Sequence, residues 1–150
     1  MTPSPMRYTS DVAPEDPRFS SDVRPLLRVL RPALTDAAAD AFAHEAHRQG
    51  LVFTAAYEAS GRCLGVGSHR VLATSRGRVL FIDDLVTDPF QRGAGTGAFL
   101  VGELTSRAVR AGCVRIELDS GVANHDAHRF YHAHRMRIAA LHFAVDVPSP

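Results

Sequence analysis

Two adjacent carboxylates, Asp83 and Asp84, stand a few residues ahead of three closely spaced glycines, Gly93, Gly95 and Gly97. A carboxylate can take a proton from an ammonium group or hold a cation. Glycines at the start of a helix let the backbone approach a ligand, and the free N–H groups and positive dipole end there favour phosphate. Gln91-Arg92-Gly93-Ala94-Gly95-Thr96-Gly97 therefore reads as an anion cradle for a phosphate or pyrophosphate, with a plain turn as the competing reading. It is not a P-loop, which needs a Lys after its second glycine. It is not the GxGxxG dinucleotide turn either, since Ala98 stands where the last glycine is required. Further on, His128 and His132 share a helix face. No nearby carboxylate or cysteine completes a metal site and no HExxH occurs, so no metal is expected.

Leu85-Val86-Thr87 followed by Arg92-Gly93-Ala94-Gly95-Thr96-Gly97-Ala98 resembles the R/Q-x-x-G-x-G/A signature of the GNAT superfamily, the acetyl-CoA-dependent N-acetyltransferases. Asn124-His125-Asp126-Ala127-His128-Arg129-Phe130-Tyr131 resembles the family's Asn-x-x-Ala-x-x-x-Tyr segment. Both motifs stand in the family's order, and the resemblance spans roughly Leu51 to Val145. It implies an α/β fold with a single mixed, mostly antiparallel sheet splayed into a V, helices on both faces and acetyl-CoA in the opening. It also implies direct attack of an amine on acetyl-CoA in a ternary complex. The amides from Gly93 to Ala98 would hold the pyrophosphate, with Arg92 adding charge. Leu85, Val86 and Thr87 would lie beside the pantetheine arm, with the Val86 N–H on the acetyl oxygen. Asn124 would bond the pantetheine amide region, although a helix cap alone also accounts for it. Tyr131 would protonate the leaving thiolate, the alternative being a core tyrosine. Asp83 or Asp84 would be the base. In a regular strand the two point to opposite faces, unless a bulge re-aims one; carboxylates tied up in salt bridges are the competing reading. One departure stands out: the family often has Gly-Phe after the tyrosine helix, where this chain has His134-Arg135-Met136.

These residues need elements to position them. Residues 1–20, with four prolines, read as an irregular lead-in, although Met6 to Thr9 could pair as a short strand. Residues 21–147 read as the acetyltransferase domain. Ser21-Asp22 offers a cap for a first helix that Pro32 ends, and Thr35-Asp36 caps a second, Asp36 to Arg48. The resemblance implies that these helices border the acceptor groove, which makes Arg28, Arg31, His44 and Glu45 candidate substrate contacts, a solvated polar face being the favoured reading. Leu51 to Glu58 and Cys63 to Thr74 read as strands, the glycines at 65 and 67 suggesting a bulge or close backbone approach. The central strand, Val79 to Thr87, stops at Asp88-Pro89. The helix from about Gly97 carries Leu100, Val101, Leu104 and Ala108 as its apolar stripe and ends at Ala111-Gly112. Val114 to Leu118 is a strand, Asn124 caps a helix to about His134, and Ile138 to Val147 is a final strand that could pair across a homodimer.

With 17 Lys and Arg against 16 Asp and Glu, net charge +1, nothing argues for nucleic acid or an anionic membrane as partner. No apolar run reaches membrane-span length and no signal-peptide core follows Met1, so a cytoplasmic enzyme is expected. Cys63 and Cys113 lack metal spacing and read as reduced thiols. The expected substrate is a small-molecule or peptide amine, with the acidic pair favouring a cationic one. The alternative function is a non-catalytic acyl-CoA-binding or sensor domain.

Overall fold

The computed structural model describes residues 6–150, in two units that divide after Leu118. The expectations placed on Met1 to Pro5 lie outside the described residues.

The first unit is built on a five-stranded sheet in the order β1-β2-β3-β4-β5: Arg7–Asp11, Val52–Glu58, Cys63–Thr74, Gly77–Thr87 and Arg115–Leu118. The first four strands are antiparallel and β5 joins β4 in parallel. The parallel step needs a crossover, supplied by α3, Thr96–Arg110. Both faces of the sheet are covered. Phe53, Ala55, Tyr57, Val66 and Val86 pack against Phe19, Val23, Leu26 and Leu27, and against Ala43 and Ala46 of α2, Asp36–Arg48. On the other face Leu80 and Ile82 pack against Leu104 and Ala108 of α3. The α3 stripe is buried at Leu100, Leu104 and Ala108, with Val101 only half-buried. No helix of the described residues is long and apolar enough to cross a membrane.

Two starts differ from the sequence reading. The lead-in is less irregular than read: the short strand expected at Met6 to Thr9 is present as β1 and runs on to Asp11, and Val12 and Phe19 are buried. Ser21-Asp22 does not cap a helix. A π-helical turn, Phe19–Val23, runs straight into α1, Arg24–Leu30, burying both Phe19 and Val23. Asp22 instead accepts the Tyr57 hydroxyl at 2.7 Å. The α2 cap is as read, with Thr35 Oγ1 accepting from the Ala38 amide.

The second unit holds α4, His125–Ala133, capped by Asn124 Oδ1 on the Ala127 amide at 3.4 Å. The helix closes on Arg135 at φ 63°, with the Met136 amide reaching back to the Tyr131 carbonyl. That is a Schellman end, and Arg135 holds the left-handed position usually given to glycine. The expected final strand is absent: among the described residues no strand follows β5. Ile138 to Val147 has strand alternation but no ladder partner, and a strand exists only when paired.

Candidate active site

A bulge in β4 builds the site. Ser68 of β3 pairs with Asp84, but the next residue, His69, pairs with Ile82. Asp83 is therefore an extra residue, and the alternation of β4 changes hand there. Leu80, Ile82 and Leu85 face α3, whereas Val86 faces the α1–α2 side. Asp83 and Asp84 consequently both line one cavity of about 530 Å³. Its remaining wall is Leu27, Arg31, Ala33, Leu34 and Phe42.

The two carboxylates have different partners. Arg70 grips Asp83 with two bonds, Nε to Oδ2 at 3.1 Å and Nη2 to Oδ1 at 3.0 Å. Asp84 Oδ2 accepts one bond, from the Ser68 hydroxyl at 2.8 Å, and its Oδ1 meets no donor among the described residues. Asp84 is thus the less committed of the pair.

Beside this cavity β4 outruns its neighbour. β4 pairs with β5 only from Val79 to Ile82, while its ladder with β3 runs on to Thr87. Among the described residues the edge of β4 from Asp83 to Thr87 has no second ladder partner. Leu85 and Thr87 turn their N–H groups to that edge, whereas Val86, paired with Val66, turns its own toward β3 and is not the edge donor expected from the sequence. The Asp88 carboxylate then caps a short 3-10 turn at the Phe90 amide, 3.0 Å away, and pairs with Arg62. That backbone bond and the Arg62 charge hold its carboxyl below the ordinary range.

Gly93 and Gly95 both take φ 81°, which side chains rarely adopt, and Gly95 is the N-cap of α3. Among the described residues the amides of Gly93, Gly95, Thr96, Gly97 and Ala98 meet no acceptor. Thr96 is buried, and its hydroxyl oxygen has no partner either. Unpaired donors at a helix start, on a backbone that only glycine follows easily, suit a diphosphate. Arg92 is exposed at the loop. Arg7 of β1 donates to the Ala94 carbonyl and lies against Gly95, where an added Cβ would stand 3.4 Å from Nη1. Sequence gave no sign of Arg7, since only the folding of β1 beside the rest of the sheet brings it to the loop.

The structure thus gathers Asp83, Asp84, Leu85 to Thr87 and the glycine loop in the first unit. Asn124 and Tyr131 belong to the second. Asn124 caps α4, and burial pushes the Tyr131 phenol above its ordinary pKa. Of the four polar candidates on the early helices, Arg28 is bound to Asp36, and His44 Nδ1 lies 2.8 Å from the Asp40 carbonyl. Only Arg31 lines the cavity.

A family model described as "Acetyltransferase (GNAT) family" matches residues 19–135. No curated protein matches the chain. Among solved structures the chain is similar to an acetyltransferase of Trypanosoma brucei, at 26% identity and TM-score 0.74, covering 95% of this chain and 100% of that one. It is similar to the aminoglycoside N-acetyltransferase AAC(6')-Iy in complex with CoA, at 15% identity and TM-score 0.82, covering 99% of each chain. It is also similar to a glucosamine-6-phosphate N-acetyltransferase from Arabidopsis thaliana, at 22% identity and TM-score 0.73, covering 95% of this chain and 99% of that one. For the last two the likeness is one of fold.

Proposed function

The chain belongs to the acetyltransferase (GNAT) family, and from that premise we propose that it moves the acetyl group of acetyl-CoA to an amine by direct attack in a ternary complex. The acceptor is a small-molecule or peptide amine; two of the similar structures are enzymes named for an aminoglycoside and for an amino sugar phosphate. The observation that carries the reading is the β4 bulge. It turns two carboxylates toward one cavity, at the point where β4 runs on past β5 and ahead of a loop of unpaired amides.

When bound, acetyl-CoA supplies an activated acyl group. The amides from Gly93 to Ala98, with Gly95 and Gly97 at the head of α3, hold its diphosphate, and Arg92 and Arg7 add positive charge. Leu85 and Thr87 would give the pantetheine arm an edge to bond, and the Leu85 N–H, rather than that of Val86, which is turned toward β3, would be the oxyanion donor. Asn124 is a further pantetheine contact. An amine must be neutral to attack, and Asp84, with one oxygen unbonded by protein, is the group that takes its proton. Asp83, neutralised by Arg70, holds the strand and the field around Asp84. Tyr131 is protonated at neutral pH like any phenol, burial raises it further, and it would be the donor to the departing sulfur.

The test is thiol release from acetyl-CoA over a panel of amines. Asp84→Asn should lower kcat by about 10²- to 10⁴-fold, the usual contribution of a general base, and remove the acidic limb of the pH–rate profile. Unchanged turnover in Asp84→Asn would assign the base elsewhere. CoA binding with no thiol released for any amine would leave a binding domain instead.

We also propose a second copy of the chain as partner. Leu141, Phe143, Val145 and Val147 recur at every second position, so an extended chain carries them on one side, and each is 77–88% exposed. An apolar stripe of that kind marks an interaction surface.

A further inference from the structure

We propose that the acceptor is an amine that also bears an anionic group, a carboxylate or a phosphate, and that Arg31 is the residue that recognises it. The inference rests on the cavity being the acceptor site.

It follows from which charges are already paired. Arg24 lies 3.0 Å from Asp40, and Arg28 is paired with Asp36. Arg70 neutralises Asp83. Arg31 alone among these arginines has no carboxylate partner among the described residues. Its one side-chain bond is to the neighbouring Leu30 carbonyl at 3.3 Å. Yet Arg31 is firmly based: its amide donates to the Leu27 carbonyl and its own carbonyl accepts from Leu34, both at 2.9 Å. Arg31 thus lines the cavity as an exposed side chain on a fixed backbone, and among the described residues no carboxylate meets its N–H groups.

The charged residues lining the cavity are then Arg31, positive, and Asp84, negative, with Asp83 cancelled by Arg70. A polycation gains one carboxylate there and meets a like charge in Arg31. An acceptor carrying both an ammonium and an anion satisfies both charges. Leu27, Leu34 and Phe42 would cover its apolar body. The guanidinium fork matches carboxylate and phosphate oxygens alike, so the wall chemistry is common to both. A volume of about 530 Å³ suits a small molecule rather than a long chain.

Thiol release from acetyl-CoA would be followed with two matched pairs: phenylalanine against phenethylamine, and O-phosphoethanolamine against ethanolamine. In at least one pair the anion-bearing member should have a kcat/KM about tenfold or more higher, as expected of a bidentate charged contact. Which pair responds separates carboxylate from phosphate. Arg31→Met should collapse that preference through KM rather than kcat, and Arg31→Lys should restore part of it, with thermal melts reporting that both variants fold. Preference for the anion-free member in both pairs overturns the proposal. So does a preference that survives Arg31→Met, or turnover of polyamines with none of either pair. In each of those cases the transferase reading stands. Absence of thiol release with every amine, despite CoA binding, removes the acceptor-site reading and the inference with it.

Discussion

His69 is buried on β3, and its Nδ1 meets no partner. Burial first, and then the Arg107 charge, lowers its pKa to about 4, although Asp11 and Glu103 pull the other way. The unfolded chain, with an ordinary histidine pKa near 6.5, binds the extra proton first. Stability should therefore be full above about pH 6.5 and fall as the pH drops toward 4, by a few kcal/mol at most. Asp11 acts at lower pH. Burial opposes its charge, but the Arg107 bonds at 2.7 and 3.0 Å outweigh that and hold the carboxyl below its usual value. Its contribution is present above its unfolded pKa and is lost as pH falls through the folded one. Denaturant midpoints across this range should slope for the natural protein and flatten between pH 6.5 and 4 for His69→Asn. Arg135 is a second isolated cost. Its φ of 63° sits where an L side chain is strained by about 1–2 kcal/mol, so Arg135→Gly should stabilise the end of α4 by up to about 1 kcal/mol. Amide exchange at Met136, whose N–H closes the turn, is the local measurement.

Among the elements, α3 on the sheet is the contact that sets the glycine loop in place. A Cβ on Gly65 would lie 2.9 Å from the Val86 carbonyl oxygen and 3.0 Å from Thr96 Cγ2. The first neighbour is backbone and cannot swing away. Gly65→Ala should therefore destabilise by about 1–3 kcal/mol and weaken CoA binding through Thr96. Gly102, within α3 with open space around it, is the control: Gly102→Ala should stabilise by about 0.8–1 kcal/mol. Thermal melts of the two variants should shift in opposite directions. This close approach was legible in the sequence, because a strand glycine has few other reasons to exist. The glycine loop, the Thr35 cap and the α3 stripe were legible for the same reason: each depends on a few neighbouring residues. The bulge was not. Whether Asp83 and Asp84 share a face depends on how β4 counts against Ser68 and His69 of another strand. The first helix start was also misread. Ser21-Asp22 is a good local cap, but burial of both Phe19 and Val23 draws those residues into a π-helical turn instead.

For the molecule as a whole, the chain beyond α4 leaves apolar surface uncovered. Leu141, Phe143, Val145 and Val147 are 77–88% exposed, though their spacing is that of a half-buried strand. Alternation was readable, but a ladder partner outside the chain leaves no trace in one sequence. Covering these four side chains would remove on the order of 450 Å² of apolar surface per chain. Reciprocal cover in a two-fold pair doubles that to about 900 Å², the size of a weak interface whose population depends on concentration. Sedimentation velocity over a concentration series should accordingly show a dimer. Phe143→Asp combined with Val145→Asp should give a monomer, because charges on the stripe cannot be desolvated without partners. The melting temperature of the natural protein should rise with concentration, and that of the double variant should not. A natural protein that sediments as a monomer at every concentration would leave the stripe without a second copy to cover it.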